Sequence, residues 1–300
     1  MAQDKRLIIS DFDFDDVKNN LKVFMQGQTE FSDFNFEGSA LSTLLDVLAY
    51  NTHYLGYNMN MLANEMFLDS ASLRSSVVSH AKTLGYETIS PRAAKAFVDV
   101  TLFDSVLATA SLPAGTVFTS SVDDVSFQFV NVANFTASNS GSQISFLNIP
   151  IYEGTFVKSQ FVVSSTDVDQ RFIISNNRAD TTTLTVKVQT STADTTTTTF
   201  TKTTDISQVT PTSTNYFLQE VEAGKYEVYF GDDVIGKGLS DGNLVILTYV
   251  VTNKAAANTA NAFTNSQAIS SVTNVQVATV EPASGGAEAE TTQSIKFNAP

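Results

Sequence analysis

The stretch from Ser39 to Met66, SALSTLLDVLAYNTHYLGYNMNMLANEM, constrains this chain more than any other. It holds no Pro and a single Gly, and predicts one helix of roughly 28 residues, a rod of about 42 Å at 1.5 Å per residue. Leu41, Leu45, Leu48, Leu55, Met59, Leu62 and Met66 recur in steps of four and three, with Thr52 the one polar member of the series. That is the a/d rhythm of a helix packed along its length against other helices. A second row, Val47, Tyr50, Tyr54, Tyr57 and Met61, runs beside it, and the opposite row, Ser42, Asp46, Ala49, His53, Gly56, Asn60 and Ala63, is small or polar. Two apolar rows on so long a rod are more than one or two short helices can cover. Partner chains that complete the core and an ordinary intramolecular helical hairpin both fit this pattern. Gly56 in mid-helix costs up to about 1 kcal/mol relative to Ala. With Ala49 and Ala63 one heptad away, it predicts close approach of another backbone and joins the candidate seam.

The flanks are helical too. Asp13 is placed to cap a first helix with Asp15 and Asp16 in its first turn, where the dipole favours negative charge, and Gly27 ends it. In the linker QTEFSDFNFEG, Phe31, Phe34 and Phe36 are expected to dock onto the helices. A third helix is expected from near Ser70, with Leu73, Val77, Ala81 and Leu84 on one stripe and a Gly85-Tyr86 Schellman stop. Pro91 closes the region.

After Arg92 the pattern turns to strands: 97–103, 112–118 after a Pro-Ala-Gly turn, 125–130, 144–154, 161–165, 171–177 and 182–188. Strands at roughly 10-residue spacing with turns between point to antiparallel sheets rather than βαβ units. Residues 181–204 hold 14 Thr in 24 positions. Leu184, Val186 and Val188 alternate with polar residues, and Ala193-Asp194 can turn, so an exposed two-stranded ribbon is expected. Residues 215–232 read as a hairpin with Ala223-Gly224 at its tip, 244–251 as a strand, Ser284-Gly285-Gly286 as a hinge or loop, and 287–297 as the start of a helix. The fold class is therefore α+β, an N-terminal helical bundle segment followed by mainly antiparallel β domains. The expected divisions are 1–95 for the helical segment, 96–205 for a β-rich domain with the Thr-rich ribbon, and 206–300 for a second β-rich domain.

The chain of 300 residues carries a net charge of −14, with a pI of about 4.4. Lys and Arg do not cluster, which speaks against nucleic acid and anionic membranes as partners. No uncharged apolar run reaches a membrane-spanning length of about 18 residues, and the N-terminus lacks the apolar core of a signal peptide. Without Cys there are no disulfides and no thiolate metal sites.

No residue set predicts catalysis, a cofactor, a metal or a small-molecule substrate. His53 and His80 fall on different helices without patterned ligands. Asp11, Asp13 and Asp15 share the spacing of a calcium loop, but Asp16 replaces its Gly and Lys22 its terminal Glu. Gly236, Gly238 and Gly242 are spaced GxGxxxG ahead of a strand, unlike the dinucleotide fingerprint. Asp232, Asp233 and Asp241 could pair as carboxylates or bind a cation, while loop tips are rich in Asp for turn reasons.

Three stretches together resemble a known family: residues 36–96 with LLDVLAYNTHYL and NEMFLDSASLRSSV, then NNRADTTTLTVKV, then YEVYFGDDVIGKGLSDGNLVILTYVVTNKAAAN. In this order they are similar to the baseplate wedge subunit of T-even-like contractile-tailed phages, a branch of the baseplate J-like proteins. Asp233 stands where that family usually has Gly. The resemblance implies a structural virion protein of the tail baseplate, assembled in the host cytoplasm and not an enzyme. It implies an inner-ring subunit whose N-terminal helices bundle with a second copy and another wedge protein, and a ring that rearranges to permit sheath contraction. The bundle seam would be Leu41, Leu45, Leu48, Leu55, Gly56, Met59, Leu62 and Met66. A tail adhesin binding a host glycan or receptor is the alternative, motivated by the Thr-rich region. The final SGGAEAETTQSIKFNAP resembles a mid-chain family segment, and Ile295 and Phe297 lack a following element to pack on. These residues are thus expected to be part of a longer subunit.

Overall fold

The computed structural model describes residues 13–27, 38–103, 106–167 and 169–299. The expectations for Asp11 and for Phe31, Phe34 and Phe36 lie outside the described residues. The chain forms two units. One contains the described residues through Tyr86 together with those from Thr292, and the other spans Glu87–Thr291.

The first unit is helical. Helix α1 (Phe14–Gln26) is capped by Asp13, whose carboxylate accepts the Asp15 N–H at 3.3 Å, and it stops at Gly27. Helix α2 (Ala40–Glu65) is capped by Ser39, whose Oγ accepts the Ser42 N–H at 3.0 Å. Lys18 of α1 pairs with Asp46 of α2 at 2.6 Å. Helix α3 (Arg74–Thr83) starts four residues later than Ser70, because residues 66–73 turn under the carboxylate that ends α2. Glu65 Oε1 accepts the Ser72 N–H at 2.8 Å, the Ser72 hydroxyl at 2.7 Å and the Leu73 N–H at 3.2 Å. The Schellman stop forms as expected: the Gly85 N–H reaches the Lys82 carbonyl and the Tyr86 N–H the Ala81 carbonyl, both at 2.9 Å, with Gly85 at φ 77.

The last helix, α4 (Thr292–Asn298), is shorter than the expected 287–297. Ala287 cannot join it, since its N–H and carbonyl both pair with Arg92 at 3.0 Å, and the Glu290 N–H is taken by Ile89. Ile295, expected to lack a following element to pack on, packs instead on an earlier one. Ile295 is 0% exposed against Val77, Val78 and Ala81 of α3, whereas Phe297 is 89% exposed.

The second unit holds two larger sheets and a short strand pair. Strands β1 (Lys95–Leu102), β3 (Val117–Val122), β4 (Val125–Val130), β6 (Ile144–Glu153) and β14 (Val275–Ser284) form an antiparallel sheet in the order β14-β1-β6-β4-β3. Strands β2 (Thr109–Leu112) and β5 (Phe135–Ser138) pair beside it. Alternation along β1 buries Ala96, Val98, Val100 and Leu102 in its core, where Phe129 meets Phe263 edge-on. Strand β14 was not anticipated; its pattern is mostly exposed, so little apolar alternation marks it.

Strands β7 (Thr155–Val162), β8 (Phe172–Ile174), β9 (Ala179–Gln189), β10 (Thr197–Lys202), β11 (Asn215–Glu220), β12 (Tyr226–Phe230) and β13 (Leu244–Val251) form the second sheet. Its order is β7-β13-β9-β10-β11-β12-β8, and only the β10–β11 pair is parallel. The chain crosses from β6 into β7 through Gly154 alone, at φ 126, where a Cβ would fall 2.2 Å from the Val251 carbonyl oxygen. The neighbouring Glu153 is fully buried and accepts bonds from Thr252 Oγ1, the Asn253 N–H and Asn253 Nδ2 at 2.7–2.8 Å.

This sheet corrects two expectations. The Thr-rich segment turns where expected, but it is not a free ribbon: β9 is bonded to β13 on its other side and β10 to β11. Val186, Val188 and Phe200 are buried beneath the outward threonines. The division expected between 205 and 206 runs through the sheet, because β10 and β11 are paired across it. The hairpin expected over 215–232 forms and ends at Phe230, and the strand at 244–251 has the expected bounds.

Candidate partner-docking surface

The long helix is where sequence and structure converge on a surface. At 1.5 Å per residue its 26 residues span about 39 Å. Residues 47–64 contain no Asp, Glu, Lys or Arg. The residues it buries are Ser42, Leu45, Ala49, Gly56 and Ala63, so the small row faces inward. Small side chains admit a close neighbour, and that is the face this chain covers by itself.

The apolar rows are left outside. Of the expected seam, Leu48, Leu55, Met59, Leu62 and Met66 are exposed, Leu62 by 69%, and Leu41 is partly covered. Leu45, at 4% exposure, and Gly56 are already buried within the single chain, so they are not part of the available face. The second row is exposed as well: Val47, Tyr50, Tyr54, Tyr57 and Met61 all stand out, and the Tyr50 and Tyr54 rings stack at 6.5 Å. Leu44, 56% exposed, extends this face and belongs to neither expected row. Its signal in the sequence was its place four residues before Leu48. Beyond the helix end, Phe67 and Leu73 continue the apolar surface. Scattered apolar residues are ordinary on a protein surface, but a contiguous row of them marks an interaction site.

The other candidates resolve into structural roles. His80 donates from Nε2 to the Glu65 carbonyl at 2.8 Å. Asp13 is a helix cap. Asp232, Asp233 and Asp241 do line one cleft of 370 Å³ with Arg171, but each carboxylate is held by backbone N–H groups. Asp232 Oδ1 accepts the Ile235 and Val234 N–H groups, which hold its carboxyl below the usual range. Asp233 Oδ1 accepts the Gly238 N–H at 2.8 Å, and Asp241 Oδ1 the Ser165 N–H at 2.8 Å. Asp233 adopts φ 65, the left-handed conformation that explains why Gly suits this position. Among the described residues no three His, Asp or Glu side chains converge for a metal ion, and no helix is long and apolar enough to cross a membrane.

Comparison with known proteins bears on the same helices. Residues 13–86 match the family described as baseplate wedge protein gp6-like, helical domain. The chain is 29% identical over 283 residues to the baseplate wedge protein gp6 of Enterobacteria phage T4, covering 88% of this chain and 42% of that protein. It thus spans less than half the length of that relative. A chain in the cryo-EM structure of the anti-feeding prophage baseplate aligns over 98% of this chain and 60% of its own, at 13% identity and a TM-score of 0.32, too low to carry an argument. The chain is therefore similar to the gp6-like baseplate wedge proteins, most specifically over residues 13–86, which match their helical domain.

Proposed function

We propose that this protein is a structural component of a phage tail baseplate wedge and works by assembly rather than catalysis. The observation that carries the reading is the exposed apolar face of α2, lying within the region that matches the gp6-like helical domain. In this reading Leu41, Leu48, Leu55, Met59, Leu62 and Met66 receive helices from a second copy and from another wedge protein. The bundle joins subunits of the inner baseplate ring, which rearranges when the sheath contracts. Helix-to-helix docking suits this face because its residues repeat with the spacing of a packed helix seam.

The test is co-expression with the tail proteins of the same virus. Leu55→Asp with Leu62→Asp should abolish co-purification, because each would bury an unpaired carboxylate at a cost of about several kcal/mol. The isolated variant should keep its circular dichroism spectrum, since both side chains are exposed in the single chain. Co-purification at the unsubstituted level would overturn the assignment of this face.

A further inference from the structure

The second unit carries a site that the helical face does not explain. A cleft of 590 Å³ lies between the outer face of the seven-stranded sheet and the loop 131–134. Its floor is set by strand register. Lys158 of β7 stands opposite Thr248 of β13, which stands opposite Thr185 of β9. One step along, Ile246 of β13 is flanked by Gln160 and Lys187. Phe156 also lines the cleft.

The wall is fastened before anything binds. Asn131 is fully buried, donates from Nδ2 to the Pro113 and Ala133 carbonyls at 2.9 and 2.8 Å, and accepts the Thr116 N–H at 2.9 Å. Asn134 Oδ1 accepts the Ala114 N–H at 2.7 Å. The loop is thus cross-linked to the turn at 113–116, and little ordering is left to be done on binding.

Charge fixes the sign of the ligand. The chain has 31 acidic residues against 17 Lys and Arg, yet the cleft is lined by two lysines and no carboxylate. Among the described residues neither Lys158 nor Lys187 has an ion-pair partner. With strands about 4.8 Å apart and a two-residue rise of about 6.8 Å, the two lysine Cα atoms are about 12 Å apart. In an extended peptide, carboxylates four residues apart lie about 13 Å from each other. An apolar side chain midway between them would fall beside Ile246.

We propose that this cleft docks an extended acidic segment of a partner protein, two carboxylates at i and i+4 pairing with Lys158 and Lys187 around an apolar residue at i+2. A long polyanion would meet the repulsion of a chain with net charge −14, whereas a short segment interacts mainly with charges within about one Debye length, ~10 Å at 0.1 M salt.

The test titrates the isotope-labelled full chain with the peptide Ac-Thr-Glu-Thr-Val-Thr-Glu-Thr-NH2 and follows amide shifts by NMR. Shifts are expected at 132–134, 156–158, 185–187 and 246–248, weakening as salt rises. Replacing both Glu by Gln in the peptide should weaken binding about tenfold or more. Lys158→Glu with Lys187→Glu should do the same, and Lys158→Gln with Lys187→Gln serves if the reversed charges disturb folding. Lys237→Glu, outside the cleft, should change nothing. No shifts at millimolar peptide, equal binding of the Gln peptide, or a short oligothymidylate moving these amides while the peptide does not would each overturn the proposal. All of these substitutions leave α2 untouched, so their failure leaves the helical docking reading standing.

Discussion

Glu65 ends one helix and caps the next. Burial works against its ionised form, but donors from Ser72, Ser76 and Leu73 outweigh it and hold the carboxyl at about 2, below its ordinary 4.5. The charge also sits at the N-terminal end of α3, whose N-cap residue Leu73 has no capping side chain. A carboxyl depressed on folding stabilises the folded state above its ordinary value, and that contribution is lost as pH falls through the folded value. The α2–α3 junction should therefore stay intact at pH 4.5 and loosen towards pH 2. A carbon-detected NMR titration of the Glu65 carboxyl should show a midpoint near 2. A midpoint in the ordinary range would mean that the capping bonds do not persist in solution.

At the scale of elements, what could be read from the sequence was set by local chemistry. Caps are local, so Asp13, Ser39, Gly27 and the Gly85-Tyr86 stop sit where the sequence places them. Period-two alternation with a buried face is also local, so β1 and β6 were legible, and a dense run of β-branched and apolar residues marked β13. Pairing across long separations was not. The partners of the Thr-rich strands, β13 and β11, come later in the chain, and their hydrogen bonds turn an apparent ribbon into the middle of a sheet. The seam on α2 was legible as a period, but not which members the chain would bury itself, Leu45 and Gly56. The same limit hid the role of α4, whose Ile295 returns to α3 from far along the sequence. Removing that contact should be felt: Ile295→Ala should destabilise the helical unit by about 2–5 kcal/mol. Phe297→Ala, at an exposed position, should stay within about 0.5 kcal/mol. Urea unfolding followed by helical circular dichroism checks both, and equal effects would show that α4 does not pack on α3 as described.

For the whole molecule, the two proposed surfaces differ in physical character, and salt separates them. The face of α2 is apolar and without Asp, Glu, Lys or Arg over residues 47–64, while each copy carries a net charge of −14. Bringing two copies together gains from the burial of apolar surface, at about 25 cal/mol per Å² removed from water, and loses to repulsion between like-charged molecules. Repulsion reaches about 30 Å at 0.01 M ionic strength and about 10 Å at 0.1 M. Self-association through α2 should therefore strengthen as salt is raised, whereas binding of an acidic segment at Lys158 and Lys187 should weaken. Sedimentation equilibrium at low and at physiological ionic strength should show the dimer fraction rising, and Leu62→Asp should remove the rise. A dimer fraction that falls with salt would mean that copies meet through charge pairs elsewhere on the molecule. A monomer at every salt and concentration would leave α2 to heterologous partners alone.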